Sequence, residues 1–303
     1  LSPALVQDLN QSNIQTRRPD HSAKAVIVIS SHVVRGSVGN RAIVFALEAL
    51  GLPVWALQTI TLSWHPGHGP STRMVPDEAQ FDGVINDLCA SPWLPEVGAV
   101  ITGYLGHASQ AKSIAKLVRA VKAHSPDALY LCDPVIGDVG GLYVPEDTAK
   151  AILEHLLPLA DVTTPNQYEL AWLCGQDIKD NNDIIAASLA LGPQKVLTTS
   201  AFAMMRGFKA NVLTTHEHCF LAEHRLLDTP INGVGDLTAA LLLARLMSNI
   251  DDEKSLQFIT ASVFEVLNHT LRTGRNELAL EQNLSSLARP KTMVQLRRLH
   301  VKQ

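Results

Sequence analysis

From residue 25 onward, short runs of β-branched and apolar residues alternate with longer segments in which apolar positions recur every three or four residues. Ala25-Val26-Ile27-Val28-Ile29 has no polar interruption, which predicts a strand buried on both faces. The spacing then predicts a helix over 41–50, closed by Gly51, and a second strand at Val54-Trp55-Ala56-Leu57. A stretch of Pro, Gly, His and Ser from Ser63 to Thr72 predicts a loop. Beyond it the pattern predicts helices over 77–89 and 109–124, strands over 99–101 and 129–132, a helix over 145–157 and a short strand over 161–163. A helix opens at Asn166, where Glu169 three residues on completes an Asn-x-x-Glu capping signature. Val196-Leu197-Thr198 and Val212-Leu213-Thr214 predict later strands, and two helices start near Gly235 and Glu253.

Alternation at this spacing predicts an α/β fold: three α/β/α layers around a mostly parallel, doubly wound sheet. No internal repeat or compositional break marks a linker, so residues 25–284 are expected to form a single domain. Residues 1–24 form a polar N-terminal extension and residues 285–303 a C-terminal one.

Composition narrows the function. Of the 303 residues, 46% are hydrophobic and 18% charged, enough for a sizeable core, and the formal net charge of −4 argues against a nucleic-acid footprint. The densest basic pairs, Arg17-Arg18 and Arg297-Arg298, read as solvated surface. The apolar stretch Leu241-Leu242-Leu243-Ala244 is closed by Arg245, far short of the ~18 residues a membrane helix needs. The four cysteines (89, 132, 174 and 219) lie far apart with no CxxC pair, which speaks against a disulfide scaffold or structural zinc. With no signal-peptide core in residues 1–24, a cytoplasmic protein is expected. His65 with His68, and His216 with His218, have no third metal ligand nearby in sequence, which speaks against a metal site; His65 and His68 are either groups that reach a ligand or exposed loop histidines.

In open α/β sheets ligands gather at the carboxyl ends of strands. Neither GxxxxGK[ST] nor GxGxxG is present, so P-loop and nicotinamide chemistry lose their usual sequence support. Gly233-Val234-Gly235-Asp236 stands instead, directly before the apolar stretch Leu237 to Met247. Two glycines let a ligand approach the backbone closely, and the first amides of a helix suit phosphoryl oxygens. Asp236 then has two readings, a helix-stabilising charge or the base that takes a proton from an attacking alcohol.

Four further segments at or near predicted strand ends join it: Ser30-Ser31-His32-Val33-Val34-Arg35-Gly36-Ser37-Val38-Gly39-Asn40, Thr102-Gly103-Tyr104-Leu105-Gly106, Cys132-Asp133-Pro134-Val135-Ile136-Gly137-Asp138 and Thr164-Pro165-Asn166-Gln167-Tyr168-Glu169. In this order, across residues 25 to 247, they resemble the pyridoxal kinases of the ribokinase superfamily. The resemblance implies ATP-dependent phosphorylation of the 5′-hydroxymethyl group of pyridoxal, and of pyridoxine and pyridoxamine, which share that group.

Residue by residue, it makes Asp236 the catalytic base and Gly233, Val234 and Gly235 the anion hole. Ser31, Thr59 and Tyr104 match contacts to the pyridine ring. Asp133 and Glu169 match acidic positions that hold Mg²⁺–ATP directly or through water, as hard oxygen ligands do. Thr164 and Asn166 share that phosphate-facing loop, and Thr199 and Ser200 match a nucleotide-contacting pair. The family further implies a monovalent cation (K⁺ or Na⁺) and a homodimer, with neither nucleic acid nor membrane as partner.

Three positions depart from the pattern. Val234 replaces a frequent Thr, leaving the anion hole to backbone amides, and Arg35 replaces a common aromatic residue at the pocket mouth. The segment Ser63-Trp64-His65-Pro66-Gly67-His68-Gly69 lacks the S-N-H-T form of many relatives. The alternatives are a hydroxymethylpyrimidine or sugar kinase of the same superfamily, or a pyridoxal-binding protein without catalysis. The pyrimidine kinases usually carry Cys where this chain has Asp236, and an intact Asp236 also speaks against a binding-only role.

Overall fold

The computed structural model describes residues 23–227 and 231–300. The expected N-terminal extension falls almost wholly on residues outside that range. A ten-stranded sheet forms the centre. Six of its strands are parallel: β1 (Ala25–Arg35), β2 (Val54–Trp64), β4 (Val97–Thr102), β5 (Leu129–Cys132), β8 (Val162–Thr163) and β9 (Lys195–Ala201). Antiparallel strands extend both sides: β3 (Arg73–Met74) next to β2, and β10 (Phe208–Thr214), β11 (Cys219–Arg225) and β12 (Gln295–Leu299) beyond β9. A separate hairpin pairs β6 (Gly137–Asp138) with β7 (Gly141–Leu142).

Helices cover both faces, which is why β1 reads as an unbroken apolar run. Val26 and Val28 point to one side, against Ile43 and Leu47 of α1 (Asn40–Ala49), Leu241 to Leu243 of α7 (Val234–Met247) and Ile259 of α8 (Asp252–Arg272). Ile27 and Ile29 point to the other, against Phe81 of α2 (Glu78–Cys89) and Ile114, Leu117 and Val121 of α3 (Gln110–His124). Helix α7 lies in the interior, with every residue from Leu237 to Ala244 buried; its sequence is apolar all round because no face meets water.

Several elements run differently from the sequence pattern. Strands β1 and β2 continue to Arg35 and Trp64, past the expected ends at 29 and 57, so Ser30 to Arg35 is strand rather than loop. Their register shifts where Ser30 pairs with Gln58 but His32 with Thr61, leaving the extra residue in β2 around Thr59. The helix expected over 145–157 is α4 (Glu146–Ala151) followed by a single π turn, Ile152–Leu156, and a 3₁₀ turn containing Pro158, whose missing amide cannot continue the helical ladder. Two short helices, α5 (Gln167–Cys174) and α6 (Asn181–Ala190), cover the far strands, and α9 (Leu284–Ala288) precedes the chain end. Strands β11 and β12 have no counterpart in the pattern; Arg297 and Arg298 lie exposed on β12, as charged residues commonly do at a sheet edge. Leu287 is buried, and the Arg245 guanidinium donates to the carbonyls of Leu287 (2.7 Å) and Ala288 (3.0 Å).

The strand order reverses at β1: the chain proceeds to β2 on one side and returns to β4 on the other. The crevice between the carboxyl ends of β1 and β4 is thus the topological switch point. Helix α7 packs on α1, α8 and β4 with its N-terminus at this crevice.

Candidate active site

At the switch point the backbones come close. The Tyr104 amide donates to the Ser30 hydroxyl (3.1 Å). A side chain on Gly103 would overlap Ser30 Oγ, and its Cβ would sit 4.0 Å from the Asp236 carboxylate. Gly39, at φ +55°, packs on the carbonyl and hydroxyl of Ser31, and its amide donates to Asp236. The chain folds this way because only glycine fits at 39 and 103. The result joins Ser31, the Tyr104 loop and Asp236 around one opening.

Thr59 braces the Tyr104 loop. It is fully buried at the β2 bulge, and its hydroxyl donates to the Tyr104 carbonyl (2.7 Å). It thereby holds the Tyr104 loop in place beside Ser31. The Gln110 amide, donating to the Thr59 carbonyl (2.8 Å), braces the same point.

The N-terminus of α7 supplies amides. Gly233 caps it in the left-handed region (φ +88°), where a Cβ would overlap the Ser37 carbonyl oxygen. Val234, Gly235 and Asp236 form the first turn, so Asp236 is the third helical residue, and a Cβ on Gly235 would meet no atom within 4 Å. The first amides of a helix have no intrahelical partner, and the open space beside Gly235 leaves room for an anion. Burial raises the pKa of Asp236, while the amides of Gly39 and Asp236 itself lower it.

The second half of the site lies after β5, β8 and β9. Asp133 is buried and accepts a hydrogen bond from the Thr164 hydroxyl (2.7 Å). Its pKa is well above the carboxylate range, first because of burial and then because Glu169 and Asp236 share its surroundings. Asn166 and Glu169 form the expected capping box: Asn166 Oδ1 accepts from the Glu169 amide (2.9 Å), and Glu169 Oε2 from the Asn166 amide (2.8 Å). Glu169 Oε1 also accepts from the amides of Ile136 (3.0 Å) and Gly137 (3.4 Å). Burial lifts its pKa to about 7, against the opposing pull of these three amides. The Asn166 side-chain nitrogen donates to the Gly137 carbonyl (2.8 Å), so its carboxamide shapes the loop at both ends. Thr199 bridges to Asn166 and donates its amide to Pro165 (2.9 Å), and Ser200 takes a left-handed φ of 55°. A non-glycine residue held there is a strained feature of the sort that collects at binding loops.

Some residues of this region carry no sequence assignment. Tyr143, after the β6–β7 hairpin, is about half exposed (49%), and its pKa is raised first by partial burial and then by Glu169, Asp138, Asp133 and Asp236. Only the neighbouring Gly140-Gly141 hinted at a feature there. Arg73 on β3 approaches the Tyr104 phenol (3.5 Å). In the β2–β3 segment, His65 Nδ1 accepts from the Gly67 amide (3.0 Å), and burial holds the His65 pKa below its usual value. Arg35, the departure at the pocket mouth, is tied to Asn276 (2.9 Å) and Glu277 (3.5 Å).

A pyridoxal kinase (PdxY) of Rubrobacter xylanophilus is 36% identical to this chain over 281 residues, covering 90% of the chain and 97% of that relative. The chain belongs to the pyridoxal kinase family. A second pyridoxal kinase, from Pseudomonas entomophila, is 35% identical over 282 residues, with 90% and 97% covered. The family model described as phosphomethylpyrimidine kinase matches residues 72–281. Among solved structures, pyridoxal kinase from Leishmania donovani in complex with ADP and pyridoxamine superposes with a TM-score of 0.85 at 28% identity, covering 91% of this chain and all of that one. The same enzyme with ADP and pyridoxine gives 0.84 at 27% identity, covering 91% and 99%. The fold is therefore that of the ribokinase-like kinases, and the chain is a kinase of the pyridoxal kinase family. The GVGD turn and the acidic loops opposite it belong to that fold's strand ends.

Proposed function

We propose that this protein transfers the γ-phosphoryl group of ATP to the 5′-hydroxyl of pyridoxal, and of pyridoxine and pyridoxamine. The observation that carries the reading is Asp236: a carboxyl group in the first turn of α7, beside Ser31 and Tyr104 and next to a glycine, Gly235, with open space around it. Ser31 and the Tyr104 ring line the acceptor side; Thr164, Thr199 and Ser200 line the nucleotide side. The Asp236 carboxylate accepts the hydroxyl proton as the oxygen bonds to phosphorus. The amides of the Gly233–Gly235 turn stabilise the charge on the phosphoryl oxygens in flight. Val234 contributes no hydroxyl, so this stabilisation rests on the backbone. ATP consumption measured against a panel of hydroxymethyl pyridines, hydroxymethylpyrimidine and sugars tests the assignment; turnover confined to the pyrimidine or the sugars would reject it.

The acidic group supports a divalent cation. Glu169 and Asp236 both act electrostatically on Asp133, and among the described residues none of the three is paired with a lysine or arginine. Asp133 and Glu169 are buried, and carboxyls so placed are costly to ionise without a cation. Asp133 would hold Mg²⁺ with the nucleotide phosphates, and Glu169, occupied by three amides, would act through water. The ion would neutralise charge on the transferring phosphate. We further propose a monovalent cation, K⁺ or Na⁺, and a cytoplasmic homodimer, on the family resemblance. Among the described residues no helix is long and apolar enough to cross a membrane.

A pH signature follows. The folded pKa of Glu169 is raised from 4.5 to about 7, so the stability it contributes is complete below about pH 4.5 and is lost as pH rises through 7. Asp133 and Asp236 shift in the same direction. Mg²⁺–ATP should therefore raise the melting temperature more at pH 8 than at pH 5.5. Glu169→Gln should shrink that difference and cost about 0.5–2 kcal/mol through the damaged capping box. Calorimetry at the two pH values decides it; equal increments in parent and variant would reject the metal role.

A further inference from the structure

The β2–β3 segment is fastened at one point. His68 Nε2 lies 2.7 Å from Glu277 Oε1. The other Glu277 oxygen accepts from the Ser37 amide (3.1 Å), and the carboxylate crowds Gly36, where a Cβ would come within 3.0 Å of both oxygens. One acidic side chain, only 13% exposed, thereby joins the β2–β3 segment to the loop between β1 and α1. The join reaches the reacting region. The Ser37 hydroxyl donates to the Leu278 carbonyl (3.1 Å), and the Ser37 carbonyl lies directly under Gly233. On the other side, a Cβ on Gly67 would stand 3.3 Å from the Asn232 amide nitrogen, immediately before the GVGD turn.

We propose that Glu277 is a positioning residue for phosphoryl transfer: through His68 it latches the β2–β3 segment over the acceptor opening, and through Ser37 it sets the floor beneath Gly233. The proposal rests on the kinase reading above and adds a residue and a task to it. Glu277 need touch neither substrate. A closed segment keeps water from the γ-phosphate and completes the acceptor pocket. An ion pair or charge-assisted hydrogen bond across two loops suits this task, since it is strong when formed and can be exchanged for water when the segment opens. The charge is supplied from residue 277, far in sequence from either loop, so closure depends on the packed C-terminal half of the chain.

The test uses the full-length enzyme and two readouts, the KM for pyridoxal and the ratio of ADP released to phosphorylated vitamer formed. His68→Ala removes the latch but leaves Ser37 held. It should raise the pyridoxal KM about tenfold, as expected for the loss of one charge-assisted hydrogen bond, and raise the ADP ratio above one. At saturating pyridoxal, kcat should stay within about threefold. Glu277→Gln weakens the contacts to Ser37 and Arg35 as well as the latch, so it should raise KM at least as much and lower kcat too, and in the double variant KM should not exceed that of Glu277→Gln alone. His68→Gln, which can still donate to Glu277, should recover part of the loss. An unchanged KM and an ADP ratio of one in His68→Ala would overturn the latch. So would additive effects in the double variant. If the parent itself phosphorylates no vitamer, the kinase assignment fails; an active parent with unaltered variants sinks the latch alone.

Discussion

Replacing Asp236 with Asn should lower turnover by about 10²–10⁴-fold, the range that a general base contributes, in a protein that still folds and binds both substrates. An alcohol is a weak nucleophile at neutral pH, and the carboxamide keeps the size of Asp236 but cannot take the proton. The Gly39 amide that donates to Asp236 can still donate to the Asn oxygen, so the local geometry persists. The structure sharpens the stability side. Were Asp236 only a favourable charge at a helix N-terminus, its removal would cost about 0.3–1 kcal/mol. Here burial dominates and raises its pKa, so at neutral pH the ionised group is a burden on the fold. Asp236→Asn should thus melt no lower than the parent. Activity within a few-fold of the parent would remove the catalytic assignment.

Two glycine substitutions in the adjoining turn should separate folding from function. Gly235 lies in the first turn of α7 with space around it, and alanine there should stabilise the helix by about 0.4–1 kcal/mol. That same space is where the phosphoryl group is proposed to sit. Gly235→Ala should therefore raise the melting temperature while cutting turnover by about 10²-fold or more, the cost typical of disturbing one oxyanion donor. Gly233→Ala is different. Its left-handed φ and its overlap with the Ser37 carbonyl force the turn to move, so stability and turnover should fall together, the former by more than about 1 kcal/mol. Full activity in Gly235→Ala would leave the amides of this turn without a role in transfer.

The β-branched run 25–29, the capping signature at Asn166 and the apolar stretch 237–247 were legible because each states a local requirement: burial on both faces, a satisfied helix end, burial all round. The GVGD turn was legible for the same reason, since glycines before an apolar helix announce a close approach of backbone to ligand. By contrast, the second half of β2 and strands β11 and β12 mix polar and apolar residues in ways that only their neighbours justify. Thr59 is assigned a ring contact by resemblance alone; its burial and its bond to the Tyr104 carbonyl depend on a register shift between two strands. Asn166 and Glu169 have the chemistry of a nucleotide site, yet their atoms are largely engaged with backbone amides and carbonyls.

The amino-acid sequence by itself determined the class of fold, the order of the loops that meet at the strand ends and the presence of a carboxylate behind an amide-rich turn. These follow from periodicity and from backbone freedom, which are properties of neighbouring residues. The tertiary structure alone decided which polar atoms remain free for chemistry, how Gly39 and Ser37 support Asp236 and Gly233, and that Glu277 reaches across more than two hundred residues to His68. Those outcomes depend on distances between segments remote in sequence, and a hydrogen bond or a charge shift exists only once packing has set that distance.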